Sequence, residues 1–388
     1  MSSAGLDQHG AAALLSRECV SRLVGEVEIE PQAIINAVSD EYVFLGENGA
    51  LVCIGKVDAP MTAPMKSRLV DSVFRSEDWC LPTKFPAVLG PDHPTNPGHS
   101  THSIVYSGLL RQSKGVKEIF DPDLDYAVNS VVEDYKYRGG VRDLLTIPEV
   151  INSSDRFPGL GTMCMSTSSG YPWAYKGLGS KKGGHFSASI NRDRVITNPE
   201  LLDEVSMACK DVEQGFRTNA VWSMFPKDEV RSKIRVETAH TRVICASPLH
   251  MTLVFRRYFG AFLSMFHIER YELESCVGMN VNSSDWDLRV KRLLSVSDIG
   301  FDGDYTQFEM LGTVAMHRRV GTIINAWYGE NCVLDNQVRL NLLRESATAV
   351  VRIGDSVFGT SGSNKSGSVL TTVINTLINV IMIRFAYV

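Results

Sequence analysis

The segment from Val369 to Val388 constrains the fold most, because it is apolar and long enough to pose a choice between a membrane span and a buried helix. Ser368, Thr371, Thr372, Asn375, Thr376, Asn379 and Arg384 recur in it at steps of three and four. A helix over this stretch therefore has a wet side and an apolar side, which suits a helix lining a site better than one facing lipid. No other stretch reads as a transmembrane segment, and the N-terminus lacks the basic and apolar runs of a signal peptide.

Upstream of that helix the chain alternates short strands with helices, which implies an α+β fold with helices on a sheet. Leu51 opens a strand that runs into a proline-punctuated segment, and residues 75–105 read as loop. Helices are expected at 124–137, 199–216, 253–266, 311–328 and 335–346. Strands are expected at 221–225, 230–236, 242–246 and 297–303, with a hairpin at 350–358 turning on Gly354-Asp355. Residues 155–185, rich in Gly, Ser and Lys, read as surface loops.

Composition narrows the function classes. Lys and Arg total 39 against 44 Asp and Glu, a net charge of −5, so the protein does not coat nucleic acid with its whole surface. A local basic channel remains compatible with RNA, since only contacted phosphates count. The eight cysteines form no C-x-x-C pair, and the plain reading is free thiols in a reducing cytosol. His93, His99 and His102 near Cys80 match no common zinc spacing.

Chemistry concentrates in four segments. In FDGDYTQFE, residues 301–309, an expected strand ends on Asp302 and Asp304, with Glu309 five residues beyond the latter. Such carboxylates suit a hard cation such as Mg²⁺, although aspartates also end strands and cap helices for purely local reasons. In GTSGSNKSGSVLTTVIN, residues 359–375, Ser366-Gly367, Thr371 and Asn375 form S-G-x3-T-x3-N, with Thr371 and Asn375 on one helix face. A phosphate-gripping P-loop fails here on spacing, because Asn364 stands where glycine must precede the lysine. PKDEVRSKIRVETAHTRVICASP, residues 226–248, carries Lys227, Arg231, Lys233, Arg235 and Arg242. On a strand, Arg231, Lys233 and Arg235 would share one face, either a solvated basic edge or a row for phosphates. TSSGYP, residues 167–172, is a turn with hydroxyls.

In this order the segments resemble motifs G, F, A and B of picornavirus-like RNA-directed RNA polymerases, and the likeness extends over about residues 50–388. The resemblance implies a right-hand polymerase fold: 51–290 mainly fingers, 291–388 partial palm, and 1–50 of uncertain assignment, either polymerase or an upstream polyprotein piece. It implies two-metal nucleotidyl transfer from ribonucleoside triphosphates to an RNA 3′-hydroxyl, with Mg²⁺ or Mn²⁺ as cofactor and Asp304 as catalytic first metal ligand. Asp302 is read as strand-end scaffolding. Lys227, Arg231, Lys233, Arg235 and Arg242 would meet the triphosphate, Arg242 and Arg231 foremost. Glu309, Ser366, Thr371 and Asn375 would sense the ribose 2′-hydroxyl. Thr167, Ser168, Gly170, Tyr171, Pro172 and Gly367 would border the template RNA. Template, primer, a protein primer and other replication proteins are the implied partners, in membrane-associated replication complexes of the host cytoplasm.

Two departures from the family stand out. Glu309 occupies the place of the family's second motif-A aspartate, one methylene longer. No Gly-Asp-Asp occurs, so motif C and the thumb lie outside the sequence, and residues 1–388 are expected to be inactive alone. A reverse transcriptase and a non-catalytic RNA- or nucleotide-binding palm are the competing readings. The S-G-x3-T-x3-N and K-D-E-x-R patterns favour an RNA product over the former.

Overall fold

The computed structural model describes residues 51–56 and 84–388, except 95, 113–118, 120, 191–192, 219, 301, 330–332 and 388. Expectations for 57–83, including the motif-like MKSRLVDSVF and Cys80, lie outside the described residues, as does Phe301.

Strands β1 (Leu51–Lys56), β2 (Lys84–Pro86), β3 (Phe186–Ala188) and β4 (Arg194–Ile196) precede β5 (Val221–Pro226), β6 (Val230–Ser232), β7 (Val243–Ala246), β8 (Val350–Ile353) and β9 (Ser356–Thr360). The helices are α1 (Thr101–Gln112), α2 (Pro122–Lys136), α3 (Ile147–Ile151), α4 (Pro199–Glu213), α5 (Lys233–Glu237), α6 (Leu249–Ile268), α7 (Ser284–Leu294), α8 (Val314–Tyr328), α9 (Val333–Ala347) and α10 (Thr371–Ala386).

One five-stranded sheet, ordered β1-β9-β8-β5-β7, carries the site. β5 runs parallel to β8 and every other neighbouring pair is antiparallel. The β8–β9 hairpin turns on Gly354, whose φ of +62° lies in the left-handed region that glycine enters without steric cost. The sheet takes strands from both sides of residue 290, so the expected fingers and palm segments share one sheet.

α6 explains why the helices assemble as they do. Apart from Arg256, Arg257 and His267 its sequence is mostly apolar, and the structure buries it accordingly: Phe255, Phe259, Phe262 and Phe266 are each at most 1% exposed. Each fully buried phenylalanine contributes roughly 1.5–3 kcal/mol of transfer free energy. α10 sets its apolar stripe, including Val373, Ile374, Leu377, Ile378 and Ile381, into the same core. Arg384, on its wet side, anchors it through Asp134 at 2.5 Å and Glu274 at 3.0 Å.

Several expectations need correction. The strand 230–236 stops at Ser232 and continues as helix α5. Ser232 pairs with Lys84, and from Lys233 onward the backbone bonds within the helix instead, as Thr238 N–H donates to the Ile234 carbonyl at 3.1 Å. Arg231, Lys233 and Arg235 therefore form no single strand face. Residues 101–112, partly read as loop, are helix α1. The helix expected from Leu311 begins at Val314, where Thr313 caps it by accepting from Met316 N–H at 3.2 Å; Phe308–Leu311 is a 3₁₀ turn. The described residues of 297–303 form no strand and are exposed. A strand needs a hydrogen-bonded neighbour, and no described strand runs beside this one.

Candidate functional site

The site grows from the β5–β7 ladder. Its register ends at Pro226 opposite Val243, and Lys227 N–H donates to the Arg242 carbonyl at 2.8 Å, one step further. That step sets Lys227 and Arg242 side by side. Glu229 then turns back between them. Arg242 Nε donates to it at 2.6 Å and Arg242 Nη2 donates to its second oxygen, a bidentate grip. Arg231 Nη1 donates at 3.2 Å and Lys227 Nζ lies 3.4 Å away. Burial works against the Glu229 charge, but Arg242, Lys227 and Arg231 together hold its carboxyl below the usual range.

One carboxylate is thus shared among three cations, and more positive charge gathers round them. Arg111, from α1, donates to the Thr241 carbonyl at 2.7 Å, and both burial and the Arg231 charge depress its pKa. His240 is lowered by burial and by Arg111, Arg235 and Arg231. Arg231 itself has a side chain only 12% exposed. Its Nε and Nη2 are buried without a hydrogen-bond partner among the described residues. Buried unsatisfied donors on a cation are costly, so they mark a place for an anion. Lys233 and Arg235 are exposed on α5, with Lys233 3.8 Å from Glu237.

The loop before α10 lies against this strand pair. Cys245 N–H donates to Ser366 Oγ at 2.9 Å, and Ala246 bridges Gly367 in parallel. A Cβ at Gly367 would sit 2.1 Å from the Cys245 carbonyl oxygen, so only glycine permits this approach. Asn364 ties the remaining pieces. Its N–H donates to the Glu309 carbonyl at 2.9 Å, and its Nδ2 donates to Asn375 Oδ1 at 2.8 Å and to the Thr371 carbonyl at 3.0 Å. Glu309 is half-buried; the hydrogen bond from Arg242 to Glu229 and the Glu229 charge raise the Arg242 pKa against burial, which lowers it, and the Glu309 charge adds to the rise. Arg242, Glu309, Ser366, Gly367, Thr371 and Asn375 therefore come together. The Thr371 hydroxyl, however, donates within its own loop, to Lys365 O at 2.7 Å or Ser368 O at 2.9 Å.

The TSSGYP turn meets the same strand end. Ser169 O accepts from Leu249 N–H at 2.8 Å. Gly170 has φ +69°, and a Cβ there would sit 2.6 Å from the Ser247 carbonyl oxygen. Thr167 is exposed, while Ser168, Tyr171 and Pro172 are half-buried. Arg352 of β8 lies 5.1 Å from the Tyr171 ring centroid and 4.8 Å from that of Tyr175. Residues 245–249 are thus a hub, holding Ser366-Gly367 on one side and Ser169-Gly170 on the other.

Asp302 and Asp304 are exposed, outside regular structure. Among the described residues no group of three His, Cys, Asp or Glu side chains is placed to hold a metal ion. No described helix is long and apolar enough to cross a membrane. Sequence reasoning missed Asn364, Arg111 and the organising place of Glu229. Asn364 served there only to exclude a P-loop, and nothing in the sequence ties Arg111 to residues 130 positions away.

The chain belongs to the viral RNA-dependent RNA polymerase family, whose model matches residues 130–388. It is 28% identical over 356 residues to the RNA1 polyprotein of Tomato ringspot virus (isolate raspberry), covering 86% of this chain and 16% of the polyprotein. It is 24% identical over 415 aligned positions to the replicase polyprotein of Drosophila C virus (strain EB), covering 98% of this chain and 23% of that one. Among solved structures, the Sicinivirus 3Dpol RNA dependent RNA polymerase shares the fold with a TM-score of 0.67 at 20% identity, over 87% of this chain and 66% of that one. The fold is therefore that of a picornavirus-like right-hand polymerase, and the chain spans only part of the length of each relative.

Proposed function

We propose that these residues are the fingers and front palm of an enzyme that joins ribonucleoside triphosphates to an RNA 3′-hydroxyl under template direction, for viral genome replication. The observation that carries this reading is Arg231, largely enclosed in a cation cluster that shares Glu229, with two buried nitrogens that have no partner among the described residues. A triphosphate supplies the missing acceptors and displaces Glu229 from Arg242, which stands ready beside Glu309. Ser366 and Asn375, set by Cys245 and Asn364, border the place of the sugar. Thr371 acts through the loop rather than by touching the ribose. The turn at Thr167–Pro172, tied to the same hub, guides the template with Gly367.

Asp304 offers one hard oxygen to Mg²⁺ or Mn²⁺, which would activate the primer hydroxyl and stabilise charge at the α-phosphate. The described residues do not complete such a site, so no step is derived through the metal. The two-metal mechanism rests on carboxylates additional to those described, and residues 1–388 alone do not extend a primer. Within this reading, the sheet shared by 51–290 and 291–388 makes fingers and palm a functional division of one structural unit. A protein primer and cytoplasmic membrane-bound replication complexes complete the proposed setting.

Primer extension tests it. A longer chain carrying downstream palm residues incorporates ribonucleotides on an RNA template and loses this with Asp304→Asn. Synthesis by residues 1–388 alone, or preference for deoxyribonucleotides in the longer chain, would refute the reading.

A further inference from the structure

Among the described residues Lys365 is the one buried lysine, 4% exposed. It sits next to Ser366, under the loop that meets β7. Its Nζ donates to the Gly362 carbonyl at 2.8 Å and the Ser363 carbonyl at 3.2 Å. Both carbonyls belong to residues in left-handed conformation, with φ +78° and +72°, and Ser363 is not a glycine. No carboxylate pairs with the ammonium among the described residues. Ser363 Oγ within the loop and His317 Nε2 beneath it are buried without hydrogen-bond partners among the described residues. A buried cation facing only carbonyls, strained backbone and two unsatisfied polar atoms make the closed loop expensive to hold.

We propose that Lys365 is a latent phosphate contact, stored against carbonyls in the closed loop and released to an RNA backbone phosphate when residues 361–368 open. The inference rests on the polymerase reading for the identity of the anion. Its loop half does not.

The charge logic fixes a sign. Burial lowers Lys365 to about 8 in the closed loop, against an ordinary 10.5. The titratable groups facing it are Cys245 of β7, pushed up by burial to about 12, and His317 of α8, pushed down by burial to about 4. Neither changes charge between pH 7 and 9. Above about pH 8 the open loop binds a proton that the closed loop does not, so rising pH favours closure.

Amide hydrogen exchange at residues 361–371 of the whole chain, corrected for intrinsic base catalysis, reads the opening directly. Protection is expected to rise about tenfold from pH 7 to pH 9. In Lys365→Met, protection is already high at pH 7 and flat with pH, because an apolar side chain has no charge to bury. An RNA oligonucleotide lowers loop protection in the wild type. The salt slope of its binding falls by about one phosphate contact in Lys365→Met. A flat wild-type profile overturns the proposal without any variant. A looser loop in Lys365→Met, with an unchanged salt slope, shows an ordinary structural pin and overturns it too. RNA binding with an unchanged slope overturns the phosphate release alone, whereas a wild type that binds no RNA overturns the polymerase reading and the release with it.

Discussion

Gly367→Ala separates two effects of the hub on residues 245–249. The added methyl would meet the Cys245 carbonyl oxygen at 2.1 Å and the Ala246 Cα at 3.1 Å, all backbone atoms that no rotamer change can move aside. Ordinary contact distances between heavy atoms are about 3.5 Å, so strand and loop must part by roughly 1 Å or more. That movement breaks the Ala246–Gly367 bridge and the Cys245 N–H···Ser366 Oγ bond, and strands a donor on a buried residue. Each lost bond costs about 1 kcal/mol, and the orphaned N–H adds about 1–3. The expected loss is therefore about 3–5 kcal/mol, visible as a lower midpoint in urea unfolding at unchanged slope. Ser366 moves with the loop, and a displacement of that size costs on the order of 100-fold in a positioned reaction. Primer extension by a longer chain should fall accordingly, with ribose discrimination weakened. A variant within about 0.5 kcal/mol of wild type, with discrimination intact, would refute the claim that Gly367 fixes loop against strand.

Three other outcomes are expected. Arg231→Met, which removes the cation whose Nε and Nη2 lack partners among the described residues, should weaken triphosphate binding by at least about tenfold, measured by calorimetry, and leave folding intact. Asp304→Asn lies in exposed chain, so its urea midpoint should stay within about 0.5 kcal/mol of wild type while primer extension in the longer enzyme is lost. His250 and His317, pushed down by burial to about 3 and about 4, stay neutral in the fold while the unfolded chain takes up protons below about pH 6.5. Stability should therefore fall as pH drops from 6.5 towards 4, and the fall in urea midpoint should be shallower in His317→Gln.

The parts of this fold legible in the sequence are those in which local pattern and tertiary demand agree. α2, α4 and α8 announce themselves by period and caps, and the β8–β9 hairpin by Gly354. α10 was readable as a helix with a polar side, and the structure puts Thr371 and Asn375 on that side against Asn364. Where pairing partners decide, local pattern failed. Val230–Val236 alternates like a strand but becomes helix after Ser232, where bonds such as Thr238 N–H to the Ile234 carbonyl take the place of a ladder. Ser297–Gly303 looks like a strand, yet its described residues lie exposed, because a strand is completed by its neighbour. α7 beside it has no buried residue despite Trp286, Leu288, Leu293 and Leu294. The site shows the same division. Its residue types could be read from motifs, but the bond from Cys245 to Ser366 joins positions 121 apart. That Glu229 clasps Arg242, and that Asn364 links Glu309 to Asn375, are facts of assembly.

Photo-crosslinking with an azido-ATP analogue, followed by peptide mapping, tests the central claim most directly. The account predicts labelled peptides within residues 227–242 and 364–375, competed by ribonucleoside triphosphates more strongly than by deoxyribonucleoside triphosphates, and reduced in Arg231→Met. Labelling confined to other segments, or indifferent to Arg231, would contradict it.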